Sequence, residues 1–355
     1  MTLFDSAAFE GHEAVHSIYD EASGLKAIIA VHSTARGPSA GGCRMWNYGT
    51  SEAALDDALR LSRAMSYKSA VADLELGGGK AVIIGDARRD KTPELFAALG
   101  RAIQGLGGRY WAAEDVGVTP EDLEHARRET PYVAGLVGHP GASGDPSPVT
   151  AEGVFRAIQL TARRVLGKEL DQISVAVQGV GSVGGGLADK LAAAGAKLTI
   201  CDINTGLADA VGRRTGAHVV KAEAIFDVDA EVFAPCALGG ALNEETVPRL
   251  HAKVIAGGAN NQLAYPEVGE YLFSKGVLYA PDYVINSGGI INVAAEIRAI
   301  GSGGAYDPLW VEHKLGRMVE TLAEVLDRSQ ADRRPPHQVA DEVARGRIAA
   351  ARSGH

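Results

Sequence analysis

The stretch that most restricts this chain is Gly179-Val180-Gly181-Ser182-Val183-Gly184. A GxGxxG string is weak evidence by itself. Here it directly follows the apolar run 173–177 (ISVAV) and opens a helical pattern over 182–194. That context gives each glycine a task. Gly179 permits the tight strand-to-helix turn, Gly181 lets backbone approach a pyrophosphate, and Gly184 lets helix and sheet pack closely. The helix start offers unpaired N–H groups and partial positive charge to phosphate. Asp202, followed by Ile203, closes the next apolar run 23 residues after Gly179, where a carboxylate would bond ribose hydroxyls. An acid there repels a 2′-phosphate and no arginine adjoins it, so NAD is expected over NADP. The alternative is a packing turn with Asp202 capping a loop.

The rest of the pattern agrees with an α/β protein of two domains, the number that 355 residues suggest. Apolar residues at 46% and charged residues at 22% are ordinary for a folded globular chain. Glycine is enriched, 44 of 355 residues, and its clustering without a period suits backbone-lined ligand sites. A net charge of −9 argues against nucleic acid as a partner. Cys43, Cys201 and Cys236 lie far apart and form no CxxC pair, so neither a disulfide framework nor a metal site is expected, and a reducing cytoplasm fits. No apolar run approaches the roughly 18 residues of a membrane span, and no secretory leader opens the sequence.

Before the junction the elements look mixed: a strand at 25–32, helices at 52–65 and 93–106, and a short buried strand at 81–84. The breaker-rich segment 135–148 (GLVGHPGASGDPSP) marks the boundary, giving domains at 1–146 and 147–327. Beyond it, strands at 173–177, 198–200, 218–220, 232–234, 254–256 and 278–280 alternate with helices or turns, which implies βαβ units and a parallel sheet. A long helix carries an apolar stripe from Val311 to Leu326, and a last helix spans 339–351.

Several residues outside the glycine turn have both a functional and a structural reading, and taken singly the structural one is favoured for Lys80, Asp115 and Cys236. Lys80 closes Leu76-Gly77-Gly78-Gly79 and precedes a buried strand. Desolvation and a neighbouring cation such as Lys68 would lower its pKa into the range of a general base, but from spacing alone a strand-end lysine reaching for water is the favoured reading. Asp115 could shuttle protons or cap a loop. Gly41-Gly42 could offer N–H groups to a carboxylate or form a turn. Asn260-Asn261 follow a strand end, near where a nicotinamide would lie, or form an Asx turn. Cys236, with Ala237 at another strand end, reads as a small packed residue rather than a nucleophile.

In combination these segments resemble the leucine/phenylalanine/valine dehydrogenase branch of the glutamate dehydrogenase superfamily. The matching motifs are GPSAGGCRMW (37–46), MSYKSA (65–70), LGGGKAVIIGD (76–86), GRYWAAEDVG (108–117) and SGDPSPVTAEGV (143–154). They continue with VAVQGVGSVG (175–184), CDIN (201–204), APCALGG (234–240), VIAGGANNQL (254–263) and LYAPDYVINSGGIINV (278–293). The resemblance runs in order through nearly the whole chain. It implies an N-terminal α/β substrate and oligomerisation domain, a Rossmann-type NAD domain, an active cleft between them, and C-terminal residues 328–355 packing back onto the first domain. It also implies reversible, NAD-dependent oxidative deamination of an L-amino acid to a 2-oxo acid and ammonia by a homo-oligomer, dimer or higher.

By that resemblance Lys80 is the general base, Asp115 relays protons, and Lys68 with the Gly41-Gly42 backbone holds the substrate carboxylate. Asn261, with Asn260, positions substrate or nicotinamide, and Ser147 and Thr150 lie near the nicotinamide amide. Ala40, Ala113, Ile290 and Val293 would line the side-chain pocket; all are apolar, which favours a hydrophobic substrate, leucine and other branched chains first. Ala40 is smaller than the leucine many leucine enzymes carry, which opens the alternative of phenylalanine. Two further rivals are a non-catalytic NAD-binding regulator, which could dispense with Lys68, Lys80 and Asp115, and a glutamate dehydrogenase.

Overall fold

The computed structural model describes residues 3–136, 138 and 141–353. Val137, His139 and Pro140 of the boundary segment lie outside the described residues, as do Met1, Thr2, Gly354 and His355. The chain divides into two compact units, Met1–Asp145 with Ile290–Glu312 and Ala344–His355, and Pro146–Gly289 with His313–Val343. The division is more interleaved along the sequence than a single 147–327 block. Residues 290–312 go with the first unit because Glu296 and Asn292 are buried there: the Glu296 carboxylate accepts from the Ser143 backbone N–H at 3.0 Å and hydroxyl at 2.5 Å, and Asn292 donates to the Ser143 carbonyl at 3.2 Å. The last helix is shared between the units, changing at Val343–Ala344.

The first unit contains β1 (Ala14–Asp20), β2 (Leu25–Ser33), β3 (Ser39–Trp46), α1 (Ser51–Val71), β4 (Gly77–Ile84), α2 (Pro93–Gly105), β5 (Tyr110–Glu114) and α3 (Pro120–Arg127). Its sheet has the order β1-β2-β4-β3-β5; the first two pairings are antiparallel and the last two parallel. Alternation along the strands builds two cores. Leu25, Ala27, Ile29, Cys43, Met45, Ala81, Ile83, Tyr110 and Ala112 face Phe96, Leu99 and Leu123 of α2 and α3. Ile28, Ala30 and Val82 face Ala54, Ala58 and Leu59 of α1. Thr50 and Thr92 start α1 and α2 by accepting backbone N–H bonds with their hydroxyls.

Two glycine stretches with the propensity of turns are strand interior instead. Gly77, Gly78 and Gly79 belong to β4, and Gly41-Gly42 to β3. The reason is close approach. A Cβ on Gly77 would lie 1.8 Å from the Ser33 carbonyl oxygen, and one on Gly78 would lie 2.0 Å from the Ser66 backbone nitrogen of α1. One on Gly79 would meet the Tyr110 ring at 2.6 Å. The Tyr110 hydroxyl accepts from the Ala81 N–H at 3.0 Å and donates to the Gly41 carbonyl at 2.8 Å, where the β3–β4 ladder is interrupted between Ala40 and Cys43.

The second unit begins with α4 (Ser147–Thr161), followed by β6 (Ser174–Gln178), α5 (Ser182–Ala193), β7 (Lys197–Cys201), α6 (Thr205–Thr215) and β8 (His218–Val219). Then come β9 (Val232–Pro235), β10 (Val254–Ile255), α7 (Pro266–Ser274), β11 (Leu278–Tyr279) and α8 (Asp282–Ile285). All pairings are parallel in the order β8-β7-β6-β9-β10-β11. The order reverses direction at β6, the doubly wound arrangement whose ligand crevice lies outside the carboxyl ends of the strands. The chain finishes with α9 (Gly288–Ser302), α10 (Pro308–Asp332) and α11 (Pro336–Ser353). Among the described residues no helix is long and apolar enough to cross a bilayer.

Candidate active site

In the first unit, strand alternation collects one set of side chains on the α1 side of the sheet. Since Cys43 and Met45, Ala81 and Ile83, and Tyr110 and Ala112 face α2 and α3, their neighbours Gly42 and Arg44, Lys80, and Ala113 and Asp115 face the other way. Lys80 is 5% exposed, and its Nζ donates to Asp115 Oδ2 at 2.5 Å. A Cβ at Gly42 would stand 2.7 Å from that of Asp115 and 3.2 Å from Lys80 Nζ, so only glycine leaves the amine and carboxylate room.

Burial lowers the Lys80 pKa by more than the Asp115 carboxylate restores, leaving it below the ordinary lysine value. For Asp115, burial acts upward but the Lys80 and Arg44 charges outweigh it, and its carboxyl titrates below the usual range. The lysine therefore does not reach for water; it is a desolvated amine against an anion. Arg44, which sequence reasoning passed over, donates from Nε to the same Asp115 oxygen at 3.0 Å and from Nη1 to Asp57 Oδ2 at 3.0 Å. The signal available was its position two residues after Gly42, hence on the same strand face.

Lys68 lies in the last turn of α1, partly buried. Ala40 is buried on β3 and Ala113 is partly buried on β5, in adjacent strands where Gly42 pairs with Ala113. Ile290 and Val293, three apart on α9, share a helix face, and both fall in the first unit. No charged side chain stands at any of these four positions. Glu114, exposed beside Ala113, is raised in pKa by partial desolvation and then by the nearby Asp145 and Glu121 charges.

The second unit carries the glycine turn. Gly179 has φ +85°, and a Cβ there would lie 2.8 Å from that of Ala237. Gly184 could not carry a Cβ either, which would meet the Gly179 carbonyl oxygen at 2.0 Å. At Gly181 an added Cβ would meet nothing within 4 Å: open space stands at the start of α5, a cradle where a phosphate fits. Val180 is buried, while Ser182 and Val183 begin the helix. Asp202 accepts the Val180 N–H at 2.9 Å and the Asn204 N–H at 2.8 Å, and so braces the turn itself; Ile203 beside it is 91% exposed.

Around the turn, Ser147 and Thr150 occupy the first turn of α4, and the Thr150 hydroxyl donates to the Pro146 carbonyl at 3.0 Å. Cys236 follows β9 and accepts the Gly258 N–H at 3.3 Å; burial pushes its thiol up to about 11, which suits packing and not nucleophilic attack. Ala237 beside it is exposed. Asn261 takes the left-handed conformation at φ +51°, and the Asn260 Oδ1 accepts from Asn286 Nδ2 at 2.9 Å. Fully buried Gln262 holds this loop by donating to the Gly257 and Ala259 carbonyls at 2.7 and 3.0 Å.

Comparison with known proteins agrees with both units. Residues 12–132 match the Glu/Leu/Phe/Val dehydrogenase dimerisation domain, and residues 204–355 match the Glutamate/Leucine/Phenylalanine/Valine dehydrogenase domain. A leucine dehydrogenase of Thermoactinomyces intermedius is 47% identical over 349 residues, covering 98% of this chain and 94% of its own length. A phenylalanine dehydrogenase of Bacillus thermotolerans is 42% identical over 98% of this chain and 91% of its own. The crystal structure of an L-tryptophan dehydrogenase from Nostoc punctiforme superposes with a TM-score of 0.85 at 39% identity, over 96% of this chain and 97% of that one. A buried lysine–aspartate pair in one unit, a dinucleotide-type turn in the other and these full-length likenesses make the chain a member of the glutamate/leucine/phenylalanine/valine dehydrogenase family, and an amino acid dehydrogenase.

Proposed function

We propose that this protein catalyses reversible, NAD-dependent oxidative deamination of hydrophobic L-amino acids, leucine and other branched-chain substrates first, to the 2-oxo acid, ammonia and NADH. The observation that carries the chemistry is the Lys80 amine, desolvated and 2.5 Å from Asp115. The bound nicotinamide supplies the redox step by accepting the hydrogen of the substrate Cα with its electron pair. The cradle at Gly181 and the start of α5 would hold the pyrophosphate, with Val180, Ser182 and Val183 beside it. Asp202 and Ile203 would border the ribose, and Ser147, Thr150, Cys236, Ala237 and Asn260 would line the remaining nucleotide contacts. Asp202 is also the reason to expect NAD over NADP, because its charge repels a 2′-phosphate.

The protein's own residues act on the substrate. Lys68, charged, and the Gly41-Gly42 backbone hold the carboxylate, and Asn261 orients the amino acid. Loss of the Cα hydrogen leaves a substrate iminium. Lys80, neutral, takes a proton from water as the oxygen bonds to Cα, giving a carbinolamine. Asp115 relays that proton from the Lys80 ammonium to the nitrogen, the C–N bond breaks and ammonia leaves, and the neutral Lys80 so restored takes the hydroxyl proton as the carbonyl forms. A lysine lowered by burial and a carboxylate held beside it suit these two proton transfers. Apolar Ala40, Ala113, Ile290 and Val293 give a glutamate side chain no counter-charge, which supports a hydrophobic substrate over glutamate.

The direct test is NADH absorbance with a panel of L-amino acids, each with NAD and NADP. Turnover with leucine, valine and isoleucine and NAD is expected. Turnover with glutamate alone, or with no amino acid in the panel, would overturn the reading; a clear preference for phenylalanine would favour the second reading, in which the small Ala40 admits an aromatic ring. The assembly expected is a homo-oligomer, dimer or higher, and light scattering measures it.

A further inference from the structure

We propose that Arg44 is a positioning residue that sets the protonation order of the Lys80–Asp115 pair, holding Asp115 as an anion and Lys80 as a neutral amine. The inference rests on the roles given above to Lys80 and Asp115. Its geometry is specific. One oxygen, Asp115 Oδ2, receives both Lys80 Nζ at 2.5 Å and Arg44 Nε at 3.0 Å. The guanidinium is held from its other side: Nη1 donates to Asp57 Oδ2 at 3.0 Å, and that oxygen also accepts the Tyr48 hydroxyl at 2.6 Å, while Asp57 Oδ1 accepts from Arg60 at 2.6 Å. Arg44 therefore spans α1 and β5 as a fixed fork, a geometry that lysine's point charge cannot reproduce.

Two cations on one carboxylate oxygen compete for its charge. The guanidinium cannot release a proton, so the amine is the member that yields. A permanent charge at Arg44 also stabilises the aspartate anion, which keeps Asp115 ready to carry a proton between turnover steps. The other ionisable groups around the pair are Cys43 on β3, Tyr110 and Glu114 on β5, Tyr48 after β3, and Asp57 and Arg60 on α1. Of these, Asp57 partly neutralises Arg44, while the buried Cys43 and Tyr110 stay protonated near neutrality because desolvation raises both. Arg44 is thus the fixed positive charge in hydrogen-bond contact with the pair.

The test is the pH profile of kcat/KM for deamination in Arg44→Met, Arg44→Gln and Arg44→Lys, with Lys80→Ala alongside. Removing the charge raises the pKa of Lys80, so in Arg44→Met the acid limb moves to higher pH by about one unit, and the rate below that limb falls about tenfold. Arg44→Gln, which keeps a donor but no charge, moves the limb equally, and Arg44→Lys restores at least half of the displacement. KM for the amino acid changes less than about twofold, because Arg44 holds no part of the substrate. A uniform loss of kcat at every pH, with the limb unmoved in Met and Gln variants, would reduce Arg44 to a structural brace and overturn the proposal. If Arg44→Met fails to fold, the Gln variant decides by the same criterion. Should Lys80→Ala keep parental turnover, the assignment of the base itself is wrong; should it lose turnover while the Arg44 variants keep the parental limb, only the present inference falls.

Discussion

The two units solve opposite problems with opposite materials. The candidate site of the first is built of charged side chains largely withdrawn from water: Lys80, Asp115, Arg44 and Asp57 form one chain of ion pairs from β4 to α1. The second is built of backbone: Gly179 and Gly184 close the turn too tightly for a Cβ, Gly181 leaves open space at the start of α5, and the Asp202 carboxylate braces the turn through the Val180 N–H. A side-chain site can be retuned by altering its neighbours' charges, because each pKa is set by desolvation and Coulomb effects together. A backbone site offers no such handle, and a substitution either fits or breaks it.

The largest expected effect sharpens that contrast. Lys80→Ala should lower kcat by about 10²–10⁴-fold, the range of a lost general base, while dinucleotide affinity measured by fluorescence titration stays within about twofold. Loss of nucleotide binding in that variant would mean that the two materials are not separable.

Next in size is an acid sensitivity seated in a buried histidine pair of the first unit. His12 and His32 stack edge to face at 4.9 Å between their centroids; Nε2 of His12 bonds to Leu59 and Ser62 at 2.9 and 3.1 Å, and Nδ1 of His32 to Ser66 at 2.8 Å. Burial, followed by the charge of the neighbouring histidine, drops His32 from 6.5 to about 4. The unfolded chain therefore binds the proton first. Stability is complete above pH 6.5 and is lost as pH falls from there through about 4, by roughly 3 kcal/mol from this group. Urea denaturation at pH 7 and pH 4 checks it, with His32→Asn as reference; equal losses in parent and variant would reject the assignment.

A pair of glycines gives a smaller effect and distinguishes packing from ligand approach. Gly78→Ala forces a methyl to within 2.0 Å of the α1 backbone and should cost about 1–3 kcal/mol in denaturant titration. Gly181 has φ −63° and open space around it, so Gly181→Ala should leave stability within about 0.5 kcal/mol while weakening NADH binding. Equal behaviour of the two variants would mean that both glycines serve packing alone. The smallest expected change is Ala40→Leu, which should shift the leucine-to-phenylalanine ratio of kcat/KM by about tenfold towards leucine, one methylene-scale discrimination.

How much of this was legible in the sequence follows the same divide. The Rossmann unit could be read from period and punctuation: β6, α5 and β7 lie within one residue of the 173–177, 182–194 and 198–200 readings, because alternating strand and helix with a glycine turn has few other folds. The first unit was harder. Glycines at 41–42 and 77–79 suggest turns by propensity, but Ser33, Ser66 and Tyr110 crowd the second stretch and the Gly79 carbonyl and Asp115 side chain the first, so that only glycine fits a strand there. Spacing alone favours a solvent-reaching Lys80 and a loop-capping Asp115, and only the resemblance to the dehydrogenase family singles them out as site residues. Arg44 stayed hidden because its importance depends on β5 and α1 arriving beside β3, which no local pattern encodes.

The glycine run preceding Lys80 has an evolutionary and engineering consequence. For three residues the strand has no side chains with which to anchor itself, so its path is imposed from outside by a serine carbonyl, a helix backbone and a tyrosine ring. The amine at its end inherits that path. Attempts to move the Lys80 nitrogen by a fraction of an ångström should therefore begin with Ser33, Ser66 and Tyr110, distant in sequence, and leave the residues adjoining the lysine untouched.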